Sequence, residues 1–138
     1  MIIADTGFWL ALANRRDAHH PSALRALEGL REKIVTTWPV MTETCHLLLA
    51  RLGVKAELAF LCGLRNGSCT IFPLTEAHLS RIEDLMEHYA DLPMDLADAS
   101  LAVLAEELDD GRILSTDQRD FRTYRWKHRK PFRNLLLG

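Results

Sequence analysis

The first residues of the chain constrain its fold more than any other stretch. An apolar run, Met1-Ile2-Ile3-Ala4, ends on the lone carboxylate of Asp5, and a helical pattern opens directly after it. An unbroken apolar run of this kind is typical of a strand that is buried on both faces of a sheet. In open α/β sheets, ligands bind beyond the carboxyl ends of the strands. Asp5 is therefore predicted to lie at a ligand site, and the remaining chain must supply its partners.

Short strand patterns alternate with longer helical patterns along the rest of the sequence. Strands are predicted at 1–5, 34–37, 70–74, 112–115 and 132–137. Helices are predicted at 7–13, 20–31, 39–52, 55–65, 76–89 and 96–108, with a short helical turn at 118–124. This alternation predicts a three-layer α/β/α fold, in which a central, mainly parallel sheet carries helices on both faces. The length of 138 residues predicts a single domain over residues 1–138.

Four acidic residues follow strands or open helices in this arrangement. They are Asp5 after the first strand, Glu43 one turn into the third helix, Asp98 early in the sixth helix, and Asp117 after the fourth strand. All four are expected to project from one rim of the sheet. Taken singly, Asp5 could be a helix N-cap and Glu43 could simply favour a helix N-terminus. Asp117 could belong to a capping motif in which Ser115 is the N-cap and Gln118 completes the box. One acid at each of these positions is harder to explain as coincidence.

The neighbours of two of these acids are apolar. Asp98 shares a helix face with three apolar residues and Glu43 shares one with two, namely Leu101, Ala102 and Ala105, and Val40 and Leu47. A carboxylate on such a face is costly unless it is paired or binds a metal ion, and neither face offers a lysine or arginine nearby. This pattern favours a functional role for both acids.

Convergence of four carboxylates would demand a cation. At about 6 Å and an effective dielectric constant of about 20, each pair repels by about 3 kcal/mol, and the six pairs together by more than about 15 kcal/mol. This exceeds the usual stability of a domain. Oxygen ligands without His or Cys indicate Mg²⁺ or Mn²⁺. The chemistry that this predicts is phosphodiester hydrolysis, with a metal-bound water as the nucleophile.

These residues together resemble the PIN-domain family, and in particular the VapC-type toxins of bacterial toxin–antitoxin pairs. The resemblance covers essentially the whole chain, and four acids in this order make it fairly specific. It rests on Ile2-Ile3-Ala4-Asp5-Thr6-Gly7, Thr42-Glu43, Asp95-Leu96-Ala97-Asp98-Ala99, Leu114-Ser115-Thr116-Asp117 with Asp120-Phe121, and the closing Tyr124-Arg125 and Pro131-Phe132-Arg133.

The resemblance implies an endoribonuclease that depends on Mg²⁺ or Mn²⁺, is inhibited by a cognate antitoxin and forms a homodimer. The residues that match the acidic positions of the family are Asp5, Glu43, Asp98 and Asp117. We expect Asp5 and Asp98 to bind the metal ion most directly, with Glu43 and Asp117 auxiliary. Asp95 matches a variable position and is also auxiliary. The resemblance places Thr6 and Thr116 beside the site as hydroxyl donors.

A basic segment near the end of the chain is a candidate RNA-backbone contact. The net charge is only −2, but eight Lys and Arg fall between Arg112 and Arg133 against two Asp. Phosphate binding is mostly Lys and Arg electrostatics. The candidate contacts are Arg119, Arg122, Arg125, Lys127 and Arg129, and the alternative is a solvated surface. Trp9, Trp38 and Trp126 are interpreted as core or interface residues rather than as base-stacking platforms.

Composition predicts the compartment and leaves other functions open. Three cysteines without metal-type spacing indicate a reduced cytoplasm, and no apolar run approaches the roughly 20 residues of a membrane span. A phospho-acceptor receiver domain would need an acidic pair after strand 1 and an acceptor Asp at the end of strand 3, whereas strand 1 ends in a single Asp and Ile71-Phe72-Pro73-Leu74 carries none. An aspartic protease would need an all-β scaffold, and a PIN-like domain that only binds RNA or a partner remains an alternative. The sequence does not identify the RNA, the bond cut, the number of ions, the antitoxin or the exact oligomeric state.

Overall fold

The centre of the molecule is a five-stranded parallel sheet flanked by helices. A computed structural model describes residues 1–137. The strands are β1 (Ile2–Ala4), β2 (Ile34–Thr37), β3 (Thr70–Phe72), β4 (Arg112–Leu114) and β7 (Arg133–Asn134), in the order β3-β2-β1-β4-β7. Two further strands, β5 (Arg125–Trp126) and β6 (Lys130–Pro131), form a separate antiparallel ribbon. The predicted three-layer α/β architecture with a parallel sheet is confirmed.

Seven α-helices are found among the described residues. They are α1 (Thr6–Ala13), α2 (His20–Gly29), α3 (Trp38–Leu52), α4 (Val54–Arg65), α5 (Leu79–His88), α6 (Leu96–Leu108) and α7 (Gln118–Thr123), and a 3-10 turn at Glu76–His78 precedes α5. No helix within residues 1–137 is long and apolar enough to cross a membrane.

The apolar run at the start of the chain is the middle strand of the sheet. All three residues of β1 are buried, and β1 pairs in parallel with β2 on one side and with β4 on the other. On one side of β1 lie β2 and then β3, and on the other side lie β4 and then β7. The strand order therefore reverses between β1 and β4, and this reversal opens a crevice at the carboxyl ends of these two strands.

Several predicted boundaries were wrong by a few residues, and two short strands were not predicted. The helix predicted at 76–89 begins with a 3-10 turn, because Thr75 and His78 form a capping box around it. The strand predicted at 132–137 pairs only over Arg133–Asn134, and the β5–β6 ribbon was not predicted at all. The predicted second helix ends two residues early at Gly29, and the strand predicted at 70–74 ends at Phe72.

Candidate active site

The crevice between β1 and β4 is closed by a hydrogen-bonded bridge around Ser115. The Ser115 hydroxyl donates to Asp5 Oδ2 at 3.0 Å and accepts from the backbone N–H of Asp117 at 2.9 Å. The backbone N–H of Asp5 donates to the Leu114 carbonyl at 3.0 Å, so the parallel ladder continues up to the acid itself. Residues 110 positions apart in sequence are thereby held side by side at the edge of the sheet.

Both acids of this bridge are also helix N-caps. Asp5 Oδ1 accepts from the backbone N–H of Thr6 at 2.7 Å, and Asp117 Oδ1 accepts from that of Asp120 at 3.1 Å. The capping interpretation and the functional interpretation of these residues are therefore compatible, since each carboxylate keeps further oxygen lone pairs. Asp117, rather than Ser115, caps the short helix.

A close approach of backbone and side chain locks the two strand ends together. A Cβ atom added to Gly7 would lie 1.9 Å from Thr116 Oγ1. Only glycine lets the first turn of α1 pass so near to the residue before Asp117. Gly7, which the sequence showed only as part of a motif, thus determines how closely the Asp5 and Asp117 segments approach.

The third acid, Asp98, reaches the site from the start of α6. The Asp95 side chain caps this helix by accepting from the backbone N–H of Asp98 at 2.8 Å. Asp98 Oδ2 accepts from the hydroxyl of Tyr124 at 2.9 Å, and Tyr124 is itself fully buried. Asp98 is thus fixed at both its backbone and its side chain.

The electrostatics show that these carboxylates lie within reach of one another. The pKa of Asp5 is raised to about 6, mainly by burial; hydrogen bonds from Thr6 and Ser115 lower it, and the nearby charges of Glu43 and Asp117 raise it. Burial also raises the pKa of Asp98 to about 8, with Asp5 and Asp95 as the next causes. Within residues 1–137, no lysine or arginine side chain bonds to Asp5 or Asp98.

The remaining predicted site residues lie around this pair. Glu43 is half-buried on α3 and acts on Asp5 through its charge. Thr6 is buried, and its hydroxyl has no hydrogen-bond partner within the described chain. Thr116 contacts Gly7 as described above. The charges of Glu43 and Asp117 act on Asp5, and those of Asp5, Asp95 and Asp117 act on Asp98, so these acids lie near one another; that they form one functional site stays a prediction.

The carboxylate and hydroxyl oxygens of the cluster are suitable ligands for a hard divalent cation, although they are not close enough together to hold one. Among residues 1–137, no group of three His, Cys, Asp or Glu side chains is close enough to hold a metal ion as the side chains stand. Asp5, Asp98 and Asp117 instead accept hydrogen bonds from N–H or O–H donors. The raised pKa values of Asp5 and Asp98, an unpartnered buried hydroxyl and the lack of a basic partner are what a cation would relieve.

The basic candidates divide into two groups. Arg125 donates from one guanidinium nitrogen to three backbone carbonyls, and Lys127 pairs with Asp109 at 2.7 Å. In contrast, Arg119, Arg122 and Arg129 are exposed and have no side-chain ion pair within the described part of the chain. The structure therefore leaves the second group more available to phosphates than the first.

Two residues of the site were not predicted as such. Ser115 and Tyr124 each donate a hydroxyl to an acid of the cluster, at 3.0 Å and 2.9 Å. Ser115 had only a capping interpretation, and Tyr124 was noted only as part of a resembling segment. A buried tyrosine needs an acceptor for its hydroxyl, which is the signal that could have drawn attention to Tyr124.

This fold and this rim of acids define the class of protein. The profile described as "PIN domain" matches residues 2–127, so the chain belongs to the PIN-domain family. The predicted resemblance to that family is confirmed, and the receiver-domain and protease alternatives are set aside.

The relatives are ribonucleases of the VapC group. The chain is 28% identical over 124 residues to the Ribonuclease VapC26 of Mycobacterium tuberculosis, covering 90% of this chain and 92% of that one. It is 41% identical over 59 residues to the 23S rRNA-specific endonuclease VapC20 of the same organism, covering 43% of this chain and 45% of that one.

A solved structure supports the fold independently. The crystal structure of Mycobacterium tuberculosis VapC20, described as a Sarcin-Ricin loop cleaving toxin, superposes with a TM-score of 0.79 at 22% sequence identity. The superposition covers 86% of this chain and 92% of that one. At this identity the likeness establishes the common architecture.

Proposed function

We propose that this protein is a VapC-type endoribonuclease, the toxin of a toxin–antitoxin pair, which hydrolyses RNA phosphodiester bonds with Mg²⁺ or Mn²⁺. The observation that carries the proposal is the pair Asp5 and Asp98 at the strand-order reversal. Both carboxyl groups are withdrawn from water, both have raised pKa values, and neither has a basic partner within residues 1–137. Such an arrangement is unfavourable for stability alone and is typical of a functional site.

The residues that would hold the cation are the acids of the cluster. Asp5 and Asp98 are the most deeply placed, and Glu43 and Asp117 stand at their sides, with Asp95 auxiliary. A bound Mg²⁺ or Mn²⁺ would lower the pKa of a water molecule and neutralise phosphate charge. Ser115 and Tyr124 would orient the two central carboxylates through their hydroxyl groups.

Arg119, Arg122 and Arg129 are the proposed contacts to the RNA backbone. They are exposed, and α7 carries the first two directly after Asp117. Arg125 and Lys127 are weaker candidates because backbone carbonyls and Asp109 already engage them. Neutral replacement of a phosphate-binding arginine should weaken RNA binding and reduce its salt dependence.

The proposal includes protein partners, a cognate antitoxin and a second copy of the chain. Five exposed apolar side chains lie on α3, α4 and their junction, namely Leu49, Leu52, Val54, Leu58 and Leu61. Contiguous exposed apolar surface of this kind often marks a protein interface. Light scattering on the purified chain, alone and with the product of a neighbouring small gene, tests for the homodimer and for the complex.

A cleavage assay tests the proposed activity. Because the relative VapC20 is described as a 23S rRNA-specific endonuclease, ribosomal RNA is the first substrate to test, followed by tRNA and mRNA. We expect cleavage with Mg²⁺ or Mn²⁺ and none with a chelator. Asp98→Asn should be inactive, although an amide oxygen can still accept from Tyr124 and preserve the fold.

The matched control is Asp91→Asn, which removes one carboxylate at an exposed position away from the cluster. This variant should cleave like the unaltered protein. Cleavage that persists with chelator, or full activity of Asp98→Asn, would contradict the proposal.

A further inference from the structure

An open groove adjoins the acidic cluster on the β2 side of the sheet. Its volume is about 610 Å³, within the range of small-ligand sites. Trp38, Pro39 and His46 of α3 line one wall, and Leu96 at the start of α6 lines the other. We call this feature the Trp38 groove.

The position of Trp38 is unusual for so large an apolar side chain. It is 58% exposed, whereas Trp9 and Trp126 are only 7% and 6% exposed. Leu96, across the groove, is 48% exposed. The α3 helix begins directly where β2 ends, so Trp38 is the first residue beyond the carboxyl end of that strand. The indole therefore stands at the same edge of the sheet as the acids.

The lining of the groove selects against a phosphate and in favour of a base. Among the described residues, no lysine or arginine lines the groove, and the carboxylates of Glu43 and Asp95 lie along it. These negative charges repel phosphate, but they accept hydrogen bonds from the N–H groups of a nucleobase edge. An indole and an aliphatic side chain facing one another offer a stacking platform, which is how proteins bind the unpaired bases of RNA.

The groove is continuous with the proposed catalytic centre. Glu43 and Asp95 line the groove and are acids of the proposed site, and Asp95 Oδ1 accepts from the backbone N–H of Asp98 at 2.8 Å. A base held in the groove would thus belong to a nucleotide next to the bond that is cut. We propose that the Trp38 groove binds one unpaired base of the RNA substrate, stacked on the indole of Trp38. This inference rests on the proposed ribonuclease function.

Fluorescence tests the stacking without requiring cleavage. In the Asp98→Asn background, an unstructured oligoribonucleotide of mixed sequence should quench the emission of the exposed Trp38, since the other two tryptophans are buried. Inorganic polyphosphate, which has the charge but no bases, should cause no quenching. Trp38→Phe should abolish the quenching signal. Equal quenching by polyphosphate, or quenching that survives Trp38→Phe, would overturn the inference.

Kinetics on a cleaved RNA tests the same contact in the reaction. Because stacking on one aromatic side chain contributes about 1–3 kcal/mol, Trp38→Ala should reduce kcat/KM by about 5- to 150-fold. Trp38→Phe should stay within a few-fold of the unaltered protein, and Trp38→Leu should behave like Trp38→Ala. Leu79→Ala is the matched control, because Leu79 is 59% exposed on α5 and does not line the groove.

The outcomes separate this inference from the function on which it rests. If the unaltered protein cleaves RNA but Trp38→Ala matches Leu79→Ala, the inference fails and the ribonuclease proposal stands. If no RNA is cleaved but bases quench Trp38, the groove binds bases and the proposed activity is wrong. A change of oligomeric state in Trp38→Ala, seen by light scattering without RNA, would instead make Trp38 an interface residue and overturn the inference.

Discussion

Asp98 depends on a single hydroxyl group for its orientation. The Tyr124 hydroxyl donates to it at 2.9 Å, and this bond lowers the pKa of Asp98 against the larger effects of burial and of Asp5. Burial and the charge of Asp98 raise the pKa of Tyr124 itself, so the phenol remains a donor throughout the neutral range. Tyr124 is therefore a positioning residue that favours the ionised form of a metal ligand.

Replacing Tyr124 by Phe should shift the pH dependence of cleavage. The variant keeps the ring packed against Phe121 and Tyr89 but loses the donor to Asp98. The carboxyl group then ionises at higher pH, and the rising limb of the cleavage profile should move up by about one pH unit. The measurement is kcat/KM from pH 5 to 9.

Tyr89→Phe is the control for this shift. The Tyr89 hydroxyl accepts from the backbone N–H of Arg125 at 2.9 Å and does not bond to a carboxylate. Its loss should cost stability because it leaves a backbone donor unpaired, yet the pH profile should not move. A shift of equal size in both variants would show that the aromatic cluster acts through packing alone.

At the scale of elements, the contact between α1 and the segment after β4 fixes the distance between Asp5 and Asp117. Gly7→Ala should disturb this contact, because the new Cβ would lie 1.9 Å from Thr116 Oγ1. We expect a loss of about 1–3 kcal/mol in the free energy of unfolding, with reduced cleavage. Urea denaturation measures the stability.

The clash predicts a compensating second change. In the double variant Gly7→Ala with Thr116→Ala, the clashing oxygen is absent, and much of the lost stability should return. Gly29→Ala is the control, since nothing in the described part of the chain lies within 4 Å of a Cβ there and alanine is a better helix former than glycine. If Gly7→Ala is as stable as Gly29→Ala, the close approach is not a constraint on the site.

The elements that the sequence predicted best are those with local stop and start signals. Pro39 and Gly53 delimit α3 to within one residue, and Asp95 caps α6 at the expected place. The β5–β6 ribbon was missed because its strands are only two residues long. Its turn has positive φ at Lys127 and His128, and the sequence has no glycine at these positions to indicate a turn. The last strand was overestimated because an apolar run does not reveal where its pairing partner ends.

At the scale of the whole molecule, the acidic cluster makes stability depend on pH in an uncommon direction. In an unfolded chain Asp5 and Asp98 ionise near pH 4, but in the folded, metal-free protein their pKa values are about 6 and about 8. The folded state therefore binds more protons between these values, and the free energy of unfolding falls as pH rises from about 4 to about 8. Glu32 acts oppositely, since hydrogen bonds from Arg112 lower its pKa to about 2, and its contribution is lost only in strong acid.

Asp98→Asn should remove much of this dependence. The variant cannot ionise at position 98, so in the presence of a chelator it should be more stable than the unaltered protein at pH 8, by about 2 kcal/mol or more. At pH 4 the two should be nearly equal, because Asp98 is then protonated in the folded state. Chemical denaturation at both pH values is the measurement, and equal stability at pH 8 would mean that the carboxylate is not strained.

The arrangement of the acids could be predicted from sequence, but their partners could not. Asp5 and Asp117 follow strands that any parallel α/β order brings to one edge. The bonds from Ser115 to Asp5 and from Tyr124 to Asp98 join residues 110 and 26 positions apart, and no local pattern marks such pairs. The exposure of Trp38 was likewise hidden, because an indole at the start of a helix gives no sign of the face that it occupies.

The measurement that tests the central claim most directly is a calorimetric titration of the purified protein with Mn²⁺ at pH 8. The account predicts saturable binding to the unaltered protein and to Asp91→Asn. It also predicts an affinity loss of at least about tenfold, or about 1.4 kcal/mol, in both Asp5→Asn and Asp98→Asn. Binding of equal strength in all four proteins, or no binding to any of them, would contradict the claim that these carboxylates together hold a divalent cation.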